Sequence, residues 1–395
     1  VTQGTATDTL RQVVELLAPL ERGAGMPGEE AAAYMLRARL EDAGAQAHVD
    51  EERFDDGYAR LHAAFSAVGV LAGAMAARGR GRAVATILGV AAAAAAADDS
   101  ANGLRFVRRW VLGGRRTWNV VAEAGDAAAE RTLVVMAHHD AAPTGFIFDD
   151  TLQRKLNDRF PDFVERTDTA MPMWWPVYAG PLSSALGAAT GRRGLARLGM
   201  FLSMGSLASF ADIARHRIVP GASDNLSGVA VLVALAERLR AEPVEGLRVV
   251  LASCGAEEVL QGGVYGFVDR HLRRTDPDRT WVLNLDTLGS PRLILLEGEG
   301  PLWMEDYCGP EFRDLIADTA RESGIALRRN MRARTSTDSV IPSRAGYRTA
   351  TLCSMNAWKG LDNYHRPTDV PENVDYSTVE CALDLTEALA RRLAS

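Results

Sequence analysis

Lysine is nearly missing from this chain. Lys155 and Lys359 are the only two, and every other basic side chain is arginine. The formal net charge is −7, so no broad cationic surface for nucleic acid is expected, and the arginine bias reads as the mark of a GC-rich genome. Cysteine is scarce too. Cys254, Cys308, Cys353 and Cys381 form no CxxC pair or close spacing, and two lie in apolar runs, which suits buried free thiols and not a disulfide frame. The opening "VTQGTATDTLRQVVELLAPL" lacks a basic start and a small-residue cleavage site, so it reads as an amphipathic helix and not as a signal peptide, although one already removed would leave no mark. Localisation stays open between cytoplasm and membrane association. There is no tandem repeat. Histidine is also rare, at seven, yet two stand side by side in "TLVVMAHHDAAPTG".

What is present is ordinary in bulk. The 395 residues are 47% hydrophobic and 24% charged, enough for a large core in one domain with insertions or in two modest domains. Short strands are expected at "AQAHVDEERF", "TWNVVAEAG", "TLVVMAHHD", "GLRVVLASCG", "TWVLNLDTLG", "PRLILLEGEG" and "YRTATLCSM". Helical patterns lie between them, notably at 225–241, 258–273, 309–324 and 376–393, after two helices within 8–44 joined by "ERGAGMPG". Strands alternating with helices, several of them apolar throughout, predict an α/β three-layer sandwich with a mostly parallel mixed central sheet. In such sheets ligands bind beyond the carboxyl ends of the strands.

Two regions break the pattern. Residues 61–97 run "LHAAFSAVGVLAGAMAA", a tip "RGRGR", then "AVATILGVAAAAAAA"; residues 172–213 run "PMWWPVYAGPLSSALGAAT", a tip "GRRGLAR", then "LGMFLSMGSLASFADI". Each reads as a helical hairpin whose arms, about 15–19 residues long, are at or below the ~20 that span a bilayer. A packed cap built on small residues and insertion into lipid both stay open. Arginines flank both ends, so charge gives no orientation. Division of the chain follows as one domain over 1–395 with insertions at 58–116 and 141–217.

Five segments carry chemistry. His138 and Asp140 alternate along a strand end and share a face, where the carboxylate can accept the second imidazole N–H and strengthen the other nitrogen as a ligand. In "GASDNLSGVAVLVAL" Asp224 sits before a strong helix, where simple capping is the bland alternative. In "VVLASCGAEEVLQGG" an apolar strand runs into Glu257 and Glu258. The helix dipole favours such acids, but one could also bind metal while its neighbour moves a proton. Asp286 ends the apolar run of "WVLNLDTLGS", a costly place for an unpaired carboxylate. Tyr364 and His365 lie in the loop "DNYHRPTDVPENVD". Together His138, Asp224, Glu258, Asp286 and His365 suit two zinc ions if one carboxylate bridges.

These ordered motifs resemble the di-zinc aminopeptidases of peptidase family M28. The matching pieces are "AHHDAA", "GASDNLSGVA", "AEE", "NLDTLG" and "YHRPTDVPENVD", with a helical lead-in at "ERGAGMPGEEAAAYMLRARLEDAG". The resemblance covers about 8–57, 117–140 and 218–393 and leaves out both hairpins. It implies that His138, Asp224 and Asp286 bind one zinc and Asp224, Glu258 and His365 the other, with Asp224 bridging. It further implies Glu257 as the general base, Asp140 as the partner of His138, and Tyr364 as an aid to the tetrahedral intermediate. The implied activity is removal of N-terminal residues from a peptide or aminoacyl substrate. The stretch from His138 to Asp224 is longer than the resemblance leads one to expect, and Ser339 stands where such sequences often have histidine, so no role is carried onto it. A di-zinc deacylase or carboxypeptidase is a rival, although the short stretch from Asp286 to His365 leaves little room for the extra dimerisation domain those chains carry. A glutaminyl cyclase would need only one zinc, and a non-catalytic binding protein would not need every ligand. Oligomeric state, substrate preference and contact of 61–97 and 172–213 with a membrane are not fixed by the sequence.

Overall fold

The computed structural model describes residues 3–169 and 172–395, so positions 170 and 171 of the second insertion and the first two residues lie outside it. Nine strands among the described residues form one sheet: β1 Gln46–Asp55, β2 Gly114–Gly125, β3 Thr132–His138, β4 Arg248–Cys254, β5 Thr280–Leu285, β6 Arg292–Glu299, β7 Glu305–Asp306, β8 Arg328–Ala333 and β9 Arg348–Met355. Their order is β1-β2-β4-β3-β5-β9-β6-β7, with β8 beside β6. The central four, β4-β3-β5-β9, are parallel. Most of the flanking pairs are antiparallel. The sheet is therefore mixed, with its parallel character concentrated at the centre. The two-residue β7 and the polar β8, "RRNMRA", had no apolar pattern to announce them.

β3 is buried along its whole length, as expected of a strand covered on both faces. Leu133, Val135 and Ala137 point into one core layer, and Val134 and Met136 into the other. The first layer is closed by α1 Gln3–Leu17, α2 Pro27–Asp42, α7 Ser227–Ala241, α8 Pro310–Glu322 and α9 Tyr376–Ala394. The second is closed by Val264, Phe267 and Val268 of a short helix. The helix expected over 258–273 is shorter than its pattern. A 3-10 turn at Glu257–Val259 and positive-φ residues Leu260 and Gln261 break it, so regular α-helix runs only over Val264–Arg270.

Four long helices come from the insertions, α3 Tyr58–Ala77 and α4 Arg82–Ser100 from the first and α5 Trp175–Thr190 and α6 Arg193–Ile213 from the second. Sequence reading treated the hairpins separately. In the structure they pack on each other as one four-helix bundle, α3 against α5 and α6, and α4 against α5. Their backbones approach closely. A Cβ at Gly199 would lie 2.3 Å from Ser184 N, and one at Gly187 2.4 Å from Ala196 N. Arg82 ties the tips together by donating to the carbonyls of Ala188 and Ala189 at the end of α5. At the base, Arg108 makes a two-pronged pair with Asp99 at 2.7 and 2.8 Å, and Asp99 also meets His62 at 3.0 Å. Arg108 further donates to the carbonyls of Asp55 and Val259, fastening the bundle to the body.

Candidate metal centre

Three strand ends and two loops converge at the carboxyl edge of the sheet. β3 delivers His138, the turn after β4 delivers Glu257 and Glu258, and the residue after β5 is Asp286. Asp224 comes from the turn before α7, and His365 from the loop before α9. The long excursion between His138 and Asp224 is closed by a small ladder. Thr144 N donates to Arg217 O, Val219 N to Ala142 O, and Pro143 bridges Ile218. Asp224 does not cap α7, because its side chain faces the two histidines.

Asp224 is the hub. Its Oδ1 lies 3.3 Å from His138 Nε2 and its Oδ2 lies 3.2 Å from His365 Nε2. His365 Nε2 is also 3.0 Å from Glu258 Oε2. Two triads result, His138–Asp224–Asp286 and Asp224–Glu258–His365, each with donor atoms within 4.8 Å of one another. These atoms crowd together without bonding to each other. Buried His365 Nε2 and Glu258 Oε1 have no hydrogen-bond partner among the described residues. Such orphaned, converging N and O donors fit divalent cations, with two N₁O₂ sets sharing one carboxylate.

Charge follows the same geometry. Burial opposes a proton on either imidazole, but Asp140 and Asp224 raise His138 well above its ordinary value. Glu258 and Asp224 likewise raise His365 to about 10. Asp224, although buried, is held well below the carboxylate range by the two imidazoles set against it. Burial, with Asp224 as a further charge, lifts Glu258 to about 7. Glu257 is raised well above a normal glutamate by burial, against the pull of His138 and helped by Asp338 and Glu258.

Around the donors stands a supporting layer. Asp140 accepts from the backbone N–H of Glu257 at 3.0 Å and of Glu258 at 3.1 Å, and its Oδ1 lies 3.4 Å from His138 Nδ1. It thus positions the glutamate pair as well as the histidine. Gln261 Nε2 donates to Glu257 Oε1 at 2.9 Å. Tyr364 stacks on His365, ring centroids 3.8 Å apart. His139 points away and meets Ser253 Oγ at 2.9 Å. Ser339 lies outside the donor set, bonded to Thr351.

Several residues here escaped the sequence reading. Asp369 accepts from the N–H of Ser223 and Asp224 at 2.7 and 3.1 Å and fixes the turn that carries the hub. Its signal was the first acid after His365 in the quoted "YHRPTDVPENVD". Arg22, fully buried, donates to the carbonyls of Leu17, His139, Pro220 and Gly221. Nothing in "ERGAG" announced that. Glu29, which reads as an acid of a helix's first turn, is buried and accepts from Ala256 N at 2.8 Å and Thr117 Oγ1 at 2.6 Å. Burial and Asp140 raise it to about 8. Asp338 has both oxygens buried without partners among the described residues and is raised to about 8 by burial. Non-glycine residues with positive φ also gather here, Ala256, Gln261, Thr287 and His365 among them, as is common where a site stores backbone strain.

Two cavities open on the donors. One of about 170 Å³ is walled by Ile294, Leu296, Met331 and Met355 beyond Glu257 and Asp286. The other, about 430 Å³, passes Glu258 and Tyr364 and runs between Trp174, Phe201 and Phe210 at the base of the bundle.

Comparison with known proteins finds a family match over a little under half of the chain. Residues 207–390 match the model of peptidase family M28. That stretch holds Asp224, Glu257, Glu258, Asp286 and His365, and the family resemblance seen in the motifs holds over it. No curated protein matches the chain. Among solved structures it is similar to a zinc aminopeptidase from Bacillus subtilis (TM-score 0.58, 14% identity, 98% of this chain and 94% of that one). It is also similar to a leucine aminopeptidase precursor from Bacteroides thetaiotaomicron (0.56, 12%, 98% and 96%). A glutaminyl cyclase from Bacteroides thetaiotaomicron is comparably similar (0.57, 12%, 98% and 97%). At these identities the likeness is one of fold, and the fold is that of the zinc exopeptidases.

Proposed function

We propose that this M28-related chain is a zinc-dependent metallopeptidase, and more narrowly an aminopeptidase with two zinc ions. The observation that carries the reading is the pair of donor triads sharing Asp224, whose atoms converge and include His365 Nε2 and Glu258 Oε1, both without a hydrogen-bond partner among the described residues. His138, Asp224 and Asp286 would hold one ion, and Asp224, Glu258 and His365 the other. Bound there, zinc supplies Lewis acidity for the scissile carbonyl and lowers the pKa of water.

The chain's own residues account for the rest. Glu257 belongs to neither triad and is held by Gln261 and by its backbone bond to Asp140, so its free oxygen can take a proton from the attacking water. Burial makes it a stronger base than a solvated glutamate, and it returns the proton to the departing amine. Asp140 keeps Glu257, Glu258 and His138 in register. Tyr364, stacked on His365, would steady the oxyanion. The smaller cavity, with Ile294, Leu296, Met331 and Met355 in its wall, suits an apolar side chain at the substrate's N-terminus.

A panel of aminoacyl-amides and dipeptides tests this, run with zinc, after chelation, and after zinc is restored. Release of free N-terminal apolar residues that needs about two zinc ions per chain supports the reading. The fold likeness to a glutaminyl cyclase makes cyclisation of N-terminal glutamine the second reading, and the same panel includes a glutaminyl peptide. Pyroglutamate formed with one zinc per chain and no hydrolysis would replace the aminopeptidase assignment.

A further inference from the structure

The bundle is built inside out for a body in water. Its contact positions are small: Gly69, Gly73 and Ala76 of α3, Gly89 of α4, and Gly180 and Ser184 of α5 are buried. Leu61, Phe65, Tyr178 and Phe210 are buried at the base, but towards the tip the buried cluster is alanine and the large apolar side chains point outward instead. Ile87 is 67% exposed, Phe201 71%, and Leu71, Leu186, Leu198 and Met204 are about half exposed. A helical bundle in water buries its large side chains and shows charge outside, because burial of apolar area is what holds it together. Here the outer face of the arms carries no charged residue from 61 to 77, from 83 to 97 or from 175 to 190.

Length and ends agree. α3, α4 and α6 are long and apolar enough to cross a membrane. At 20, 19 and 21 residues they measure about 30 Å at 1.5 Å per residue, which matches the hydrocarbon thickness of a bilayer. All their charge lies at the ends. Arg78, Arg80, Arg82, Arg192 and Arg193 gather at the tip, while exposed Trp110 and Trp175 lie at the base, where interfacial tryptophans sit. Gly69 and Gly73 form a GxxxG step packed on α5 and α6. A Cβ at Gly69 would lie 2.5 Å from Ser203 Oγ, and one at Gly73 2.8 Å from Ser184 Oγ. Lipid tails give no hydrophobic drive between helices, so close backbone contact of this kind is what joins them there.

We infer that the four-helix bundle is embedded in a lipid bilayer, with its arginine tip on the far side and the metal centre at the near surface. The inference does not depend on the peptidase reading. The test uses the full-length chain. It should stay with the membrane pellet through an alkaline carbonate wash and need detergent for release. It is then reconstituted in sealed vesicles of phosphatidylcholine and phosphatidylglycerol, 3:1, and treated with trypsin from outside. In molecules cut at the exposed Arg273, whose body lies outside, cleavage at the arginines of the tip should appear only after detergent opens the vesicles. The variant I87E/L186E/L198E, checked for fold by circular dichroism, should lose retention in the pellet. Recovery of the wild-type chain in the carbonate supernatant overturns the inference. So does a monomer or dimer stable without detergent, and so does a tip cut equally fast with and without detergent.

Discussion

Zinc should displace protons when it binds this site, and the geometry sets how many. In the metal-free protein both imidazoles sit among carboxylates. Burial works against a second proton, yet Glu258 and Asp224 raise His365 to about 10, and Asp140 and Asp224 raise His138 well above its usual value. Each ring therefore carries an extra proton near neutrality. A metal needs the lone pair that proton occupies, so both must leave. For His365 alone, the gap from about 10 to pH ~7 amounts to roughly 4 kcal/mol opposing binding at neutral pH, at about 1.36 kcal/mol per unit. The sign follows directly. These folded-state values are raised, so the protons are held across the neutral range and affinity climbs as pH rises through it. Two released protons make the climb up to about a hundredfold per pH unit, and Glu258, near 7, adds a fraction more. Calorimetric titration of stripped protein with zinc at pH ~7, in buffers of different ionisation enthalpy, measures the number. A plot of apparent enthalpy against buffer enthalpy should have a slope of about two or more. His365→Ala should lower it by about one. A slope near zero refutes the reasoning, because the rings would then be neutral and the carboxylates would not be acting on them.

Other outcomes follow from the same contacts. Glu257→Gln should keep its metal and lose about 10²- to 10⁴-fold in kcat, since it removes only the proton carrier; metal analysis beside steady-state kinetics checks both halves. Asp369→Ala frees the N–H groups of Ser223 and Asp224 and should weaken zinc binding about 10- to 100-fold, read by competition with a chromophoric chelator. Arg22→Met strands the carbonyls of His139, Pro220 and Gly221 and should cost about 3 kcal/mol or more in urea unfolding.

The sheet was legible because its central strands are apolar on both faces, as "TLVVMAH" shows, and because strand ends concentrate polar residues. Five donor positions could be named from that rule and from their order along the chain, and the structure gathers those five at one sheet edge. The layer behind them was not legible. Arg22, Glu29 and Asp369 act by accepting from or donating to backbone groups far away in sequence, and no local pattern encodes a partner at such a distance. β8 escaped because its side chains are mostly polar and only half-buried. The bundle escaped for a different reason. Each hairpin carries small residues on a face whose partner lies in the other insertion, so neither sequence alone reveals the match.

That split has a consequence for how the molecule is made. The earlier hairpin leaves the ribosome before the later one exists, and most of its close neighbours are supplied by α5 and α6. At about 5–20 residues per second, the wait is several seconds with glycine-rich surfaces unmatched. The segment carrying His138 is synthesised within the same interval, whereas Asp224, Glu258, Asp286 and His365 follow the last bundle helix, so the helical unit can close before the reactive edge is complete.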